Sequence, residues 1–202
     1  IIHTDAIHLG SSFKNLKDSE DRKKRNRDVL NTFNRLVEYA DRHGVDTILL
    51  AGDIFDTKEK QYARLKDKKA FKDIVAAYPK IKFLYLKGNH DNMKNEDNNP
   101  ENLLTFNDKH WTRYDFEKVT IVGIEFGPDS DASIYDSLCL DPNRYNIVMM
   151  HGQITLEKDT RREMKETINL HSLKGRNIDY LALGHIHSYQ QDEIDKRGVW
   201  AY

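Results

Sequence analysis

Residues 45–56, Val-Asp-Thr-Ile-Leu-Leu-Ala-Gly-Asp-Ile-Phe-Asp, decide the fold: an apolar run ends on glycine and two carboxylates follow at once. A short apolar run of this kind reads as a buried strand, Val45 to Ala51. Upstream, Leu30, Phe33, Leu36, Val37 and Ala40 recur at helical spacing within residues 20–43, and Gly44 supplies the stop. Downstream, Phe71, Ile74, Val75 and Tyr78 share one face of a second helix over residues 59–78, ended by Pro79. Ile81–Leu86 is the next strand, and Ile1–Thr4 is the end of the first. Strand and helix alternating over the first 90 residues predict an α/β layering with parallel strands. Val119–Ile124, Ile147–Met150 and Tyr180–Leu183 repeat the strand pattern with fewer helices between, so a second sheet packed on the first is expected.

Composition bounds the rest. The chain has 202 residues, enough for one sizeable domain and tight for two. Its 33 acids and 32 bases nearly cancel, which excludes a globally basic nucleic-acid binder and an acidic tail protein. Ten Tyr, eight Phe and two Trp supply core material that a disordered chain lacks. A single cysteine, Cys139, excludes an intrachain disulfide framework and a cysteine zinc site. No apolar run approaches the roughly 18 residues of a membrane span, and no charged-then-apolar leader opens the chain. The cytoplasm is the expected location. The run Asp18–Asp28 carries five bases in the six positions 22–27. It reads first as a solvated helix face, with a phosphate-contacting patch as the alternative. Asn92–Asn102 reads as a mobile polar surface loop. The close on Gly198-Val-Trp-Ala-Tyr202 is an apolar strand without a turn, so a longer protein is expected.

Five small motifs place metal-capable side chains where an apolar strand has just ended. They are Asp5-Ala-Ile-His8, Gly52-Asp-Ile-Phe-Asp56, Gly88-Asn-His-Asp91, His151-Gly152 and Gly184-His-Ile-His187. Strand ends converge on one edge of an α/β sheet, so residues distant in sequence can meet there. Glycine beside a ligand lets the backbone turn sharply. The alternation His185-x-His187 sends both rings to one side of an extended segment. Imidazole, carboxylate and amide oxygen without thiolate suit Mn, Fe, Zn, Co or Ni rather than calcium. One carboxylate, Asp53, amid several histidines is the composition of a bridged metal pair. His90 beside Asn89 suits a general acid or charge stabiliser, oriented by a carboxylate such as Asp91. Each motif alone is weak, but five of the nine histidines fall at such strand ends. His3, His43, His110 and His171 are left to packing and capping.

Together these motifs resemble the calcineurin-like metallophosphoesterase superfamily: D-x-H, GD-x-x-D, GNH-D/E, a His before Gly, and G-H-x-H. The flanks IHTDAIHLG, LLAGDIFD, LKGNHD, MMHG, LALGHIH and RGVWAY most resemble its SbcD-type DNA repair nuclease subunits. That resemblance spans residues 1–202 and implies a four-layer β-sandwich flanked by helices, with the active site at the strand ends. It implies one metallophosphoesterase (nuclease) domain over 1–202, followed by a C-terminal capping region. It implies two divalent metals, Mn2+ foremost, with Mg2+, Fe2+ or Zn2+ as alternatives. His8 and His187 would bind the first, Asp53 would bridge, and Asn89, His151 and His185 would bind the second. His90 would act on the leaving group, with Asp91 and Asp56 as supports. The implied partners are DNA, an SbcC-type coiled-coil ATPase and a second copy of the chain, with no membrane. The implied activity is a DNA exonuclease, extending to endonuclease. A cyclic-nucleotide or small-molecule phosphodiesterase, a protein phosphatase and a catalytically silent DNA-end-binding subunit are the alternatives. One position departs: the first motif expects Asp at position 6, and Ala6 stands there. An engineered substitution is the favoured account, ahead of natural loss or of Asp5 re-aimed by a bulge.

Overall fold

The strand quoted above is the centre of the first sheet. The computed structural model describes residues 1–57, 65–91, 98–127, 132–156 and 166–202. It divides into two compact units, Ile1–Tyr85 with Asn89–Leu104, and Leu86–Gly88 with Thr105–Tyr202.

In the first unit, β1 (Ile2–Thr4), β2 (Thr47–Ala51), β3 (Lys82–Leu86) and β4 (Leu103–Thr105) form a four-stranded sheet in that order. β1 runs parallel to β2, pairing Ile2 with Ile48 and Thr4 with Leu50. Every residue of β2 is buried, as its continuous apolar run requires. Helix α1 (Ser19–Arg42) starts where the Asp18 carboxylate accepts the Glu20 N–H at 2.6 Å, and Gly44, at φ +66°, follows its end. It buries Phe33, Val37 and Ala40, one stripe at helical spacing. Helix α2 (Leu65–Ala77) buries Phe71 and Val75, and Phe71 stacks on Phe33 with ring centroids 5.4 Å apart. The start of the helix expected over 59–78 lies outside the described residues, as does most of Asn92–Asn102. At the end of that stretch the surface-loop reading is corrected. Asn102 is buried, and its amide donates to the carbonyls of Val75, Tyr78 and Ile81, tying the end of α2 to β3. A polar side chain can be buried there because its amide donates to carbonyls that converge on it from the end of α2 and the start of β3.

The second unit contains β5 (Thr112–Asp115), β6 (Val119–Gly123), a short 3-10 turn (Ala132–Ser137), β7 (Tyr145–His151), β8 (Gln153–Thr155) and β9 (Thr167–Asn169). It continues through helix α3 (Leu170–Leu173), β10 (Tyr180–Gly184), β11 (Gln191–Glu193) and β12 (Val199–Ala201). Its main sheet has six strands in the order β11-β12-β10-β7-β6-β5. The centre β6, β7, β10 and β12 is parallel, and β5 and β11 are antiparallel edges. β8 and β9 pair as a separate parallel ribbon. Strands β4, β5, β8, β9 and β11 escape sequence reading because each has only three or four residues and no apolar run. No described helix is long and apolar enough to cross a membrane.

Candidate metal centre

In the first unit two turns are laced side by side beyond β1 and β2. The N–H groups of Ala6, His8 and Leu9 donate to the carbonyls of Gly52, Asp53 and Ile54 at 3.1, 2.9 and 2.8 Å. Asp56 N–H returns a bond to Leu9 O at 3.0 Å. This lacing brings His8, Asp56 and His90 together, their ligand atoms all within 4.8 Å of one another. The His8 and His90 rings meet edge to face with centroids 5.1 Å apart. Asp53 is almost wholly buried (1% exposed), and its Oδ1 accepts the His90 N–H at 2.9 Å. Asn89, in contrast, is exposed at the surface.

Two supporting carboxylates divide the work. Asp56 faces the His90 ring, with Oδ1 3.4 Å from Nδ1, and its other oxygen accepts the Ser11 hydroxyl at 2.8 Å. Asp91, expected as the group orienting His90, is buried and accepts the N–H groups of Ile54 (3.3 Å) and Phe55 (2.7 Å). It therefore holds the turn that carries Asp53. The second aspartate of the Gly52–Asp56 motif was the signal for the His90 partner. The sequence could not say which carboxylate faces the ring.

In the second unit β7 ends at His151 and β10 at Gly184, and the two residues are register partners. Gly152 N–H donates to Gly184 O at 3.0 Å, so the two histidine turns are tied by backbone. His151 is buried, and its ring meets that of His185 edge to face at 5.3 Å. Gly152 sits at φ +153°, and a Cβ there would come within 2.8 Å of Glu166 O. Only glycine fits that close approach. Tyr202, absent from the sequence-derived site, bridges the same turn: its hydroxyl donates to Gly152 O at 2.9 Å and accepts Ile154 N–H at 2.8 Å. The expected extended His-x-His segment is corrected. β10 stops at Gly184, His185 has φ +109°, and His187 is exposed, so strand alternation does not govern the two rings.

Backbone strain singles out the same places. Ala6, His8, Asp53 and His185 are four of the seven non-glycine residues with positive φ among the described residues. Such conformations cost about 1–3 kcal/mol each and persist where the surroundings enforce them, commonly at functional sites. In the second unit, Lys87, immediately before Gly88-Asn89-His90, donates its N–H to Glu125 Oε1 at 3.1 Å, and its ammonium lies 3.5 Å from Oε2. Burial pushes the Glu125 carboxyl above its ordinary pKa, and Lys87 pulls it partly back. Of the histidines left to packing and capping, His43 stacks on Tyr39 and places Nδ1 2.8 Å from its carbonyl at the end of α1. Cys139 is a free, exposed thiol.

Histidine and carboxylate turns at the ends of parallel strands, with no thiolate among them, define a metallophosphoesterase. The chain belongs to the calcineurin-like phosphoesterase family, whose profile matches residues 3–189. It is similar to the DNA double-strand break repair protein Mre11 of Sulfolobus acidocaldarius, 28% identical over 212 residues covering 96% of this chain and 51% of that protein. The Mre11 proteins of Sulfurisphaera tokodaii (27% identical, 96% of this chain, 50% of that one) and Saccharolobus solfataricus (29%, 93% and 49%) are similar in the same way. The chain spans about half the length of these curated relatives.

Proposed function

We propose that this chain is the nuclease domain of a two-metal phosphodiesterase that acts on DNA ends, as an exonuclease and by the same site as an endonuclease, in DNA repair. The observation that carries the reading is the cluster of His8, Asp56 and His90, with Ala6, His8 and Asp53 on two of its turns held at positive φ. The relatives named for DNA double-strand break repair supply the substrate class.

In this reading His8 and His187 hold one ion, Asn89, His151 and His185 the other, and Asp53 is shared. Mn2+ is the preferred metal, ahead of Mg2+, Fe2+ or Zn2+. The donor set fits: a buried carboxylate needs a charge partner, and imidazoles with one amide oxygen suit borderline divalent ions. Held by these residues, two divalent ions would supply Lewis-acid activation of a water and charge stabilisation of a phosphodiester. The protein's own part is orientation and proton supply. Asp56 beside Nδ1 holds the His90 ring, leaving Nε2 to give a proton to the leaving oxygen. Asp91 holds the Asp53 turn, and the backbone tie from Gly152 to Gly184 holds the two histidine turns of the second unit.

Ala6 sets the activity of the chain as written. Position 6 has φ +49°, a conformation that Asp and Asn adopt several-fold more readily than other non-glycine residues. An aspartate there would suit the backbone and add a charged ligand beside His8. Among the described residues Asp5 joins no cluster of potential ligands. The chain is therefore expected to be nearly inactive, and Ala6 favours a second reading, a catalytically silent DNA-end-binding subunit. The wider assignment follows the family: a capping region beyond residue 202, an SbcC-type ATPase partner, a homodimer and a cytoplasmic location.

The test is Mn2+-dependent hydrolysis of bis-(p-nitrophenyl) phosphate and of linear against closed circular DNA, by the chain and by Ala6→Asp. Activity restored in Ala6→Asp and favouring free ends supports the nuclease. Hydrolysis of phosphoserine peptides with none of DNA moves the assignment to the phosphatase branch. DNA binding with no hydrolysis in either form selects the silent subunit.

A further inference from the structure

We propose that the groove between α1 and the first turn of α2 holds the sugar-phosphate backbone of a single DNA strand leading away from the His8 turn. The inference rests on DNA being the substrate, and it assigns where the strand beside the reacting phosphate lies. The groove has a volume of about 580 Å3 and lies wholly within the first unit. Its floor begins at Leu9 and Gly10, the residues directly after His8. Ser11 on its wall donates to Asp56, the carboxylate beside His90. The groove and the candidate metal centre thus share a wall.

Charge is concentrated there. Among the described lining residues, Arg22, Lys23, Arg27 and Lys66 stand against one acid, Asp67, in a chain whose formal net charge is −1. Two of these cations are occupied: Lys23 pairs with Glu20 at 2.6 Å, and Arg22 donates to Leu16 O at 3.0 Å. Arg27 and Lys66 are exposed; Arg27 lies within electrostatic reach of Glu20, and Lys66 makes no hydrogen bond or ion pair among the described residues. Exposed cations at a groove, held by no hydrogen bond, are suited to exchanging hydration for phosphate. The basic run is thereby split by helix periodicity. Positions 22, 23, 26 and 27 face the groove, whereas Lys24 and Arg25 do not line it.

The form of the ligand follows from the lining. Among the described residues no aromatic side chain lines the groove, so recognition by those residues falls on the backbone. The volume lies within the roughly 300–1,000 Å3 range of small-ligand sites, a scale that suits a short stretch of one strand.

The experiment is fluorescence anisotropy of a labelled oligothymidylate against salt concentration, without metal. It compares the chain, Arg27→Ala/Lys66→Ala, and Lys24→Ala/Arg25→Ala, which removes equal charge from the same region. Each phosphate contact on a single strand contributes about 0.7 to the slope of log K against log salt, so losing two should flatten it by about 1.4. The control pair should change the slope by less than half of that. Arg27→Gln/Lys66→Gln serves in parallel should the alanine pair lower the melting temperature. Equal slopes for the groove and control pairs overturn the proposal, and so does a chain that binds no oligothymidylate. Hydrolysis of bis-(p-nitrophenyl) phosphate by Ala6→Asp is read separately. If that fails while the groove pair flattens the slope, the enzymatic reading falls and the groove stands. If it succeeds while the slopes agree, the groove falls alone.

Discussion

Replacing Asp91 by alanine would show how firmly the turn carrying Asp53 is held from below. In the native chain the Asp91 carboxylate accepts the N–H groups of Ile54 at 3.3 Å and Phe55 at 2.7 Å, and both of those residues are fully buried. Alanine leaves two buried donors without the acceptor that now satisfies them. An orphaned buried donor costs about 1–3 kcal/mol, and the longer Ile54 bond belongs at the low end, so the sum is about 3 kcal/mol. For a chain of this size that lowers the melting temperature by roughly 6–12 °C. Asp91→Asn keeps one carbonyl oxygen for Phe55 but turns an amide donor toward Ile54, so about half the loss is expected. Urea denaturation of the three proteins should rank them native, Asn, Ala. The same series should weaken Mn2+ binding roughly 10–100-fold, because Asp53 at φ +54° relaxes once its turn is released. Isothermal titration calorimetry measures that arm. An Asp91→Ala protein that loses less than about 1 kcal/mol would refute the argument that these two bonds hold the turn.

Other perturbations reach different parts of the structure. Ala6→Asp should raise Mn2+ occupancy and increase diester hydrolysis by orders of magnitude, with melting temperature unchanged or higher because Asp tolerates the backbone at that position; metal analysis and bis-(p-nitrophenyl) phosphate turnover check it, and full activity in the unmodified chain would sink it. Gly198→Ala would put a Cβ 2.0 Å from the carbonyl oxygen of Ile178, a backbone atom that cannot step aside. It should cost at least the roughly 1–3 kcal/mol typical of overpacking, read by urea denaturation. The Glu125 carboxyl is raised by burial above its ordinary 4.5, so the unfolded chain gives up this proton first as pH rises. Its contribution to stability therefore falls as pH climbs from 4.5 through the folded value, and Glu125→Gln should flatten that part of a melting-temperature profile. A profile equally steep in the variant would show that another group carries the change.

The core elements were legible in the linear sequence because their signals are local. The strand over Thr47–Ala51 is a continuous apolar run, and α1 shows Phe33, Val37 and Ala40 at helical spacing between Asp18 and Gly44. The candidate metal-binding motifs stood out for a related reason, since histidine, asparagine or aspartate stands within a few residues of the end of each apolar run. What tertiary structure decided is what the residues neighbouring those motifs do. Asp56 and Asp91 are equivalent as letters, yet one faces His90 and the other holds the Ile54 and Phe55 amides, because the lacing of two turns aims them differently. Asn102 reads as loop and is buried because three carbonyls from separate elements converge on it. Tyr202 joins the His151 turn only because β12 lies parallel beside β10. Helix and strand propensity act over a few residues and survive in the sequence. A hydrogen-bond partner tens of residues away depends on where folding brings the backbone, and no local pattern encodes it.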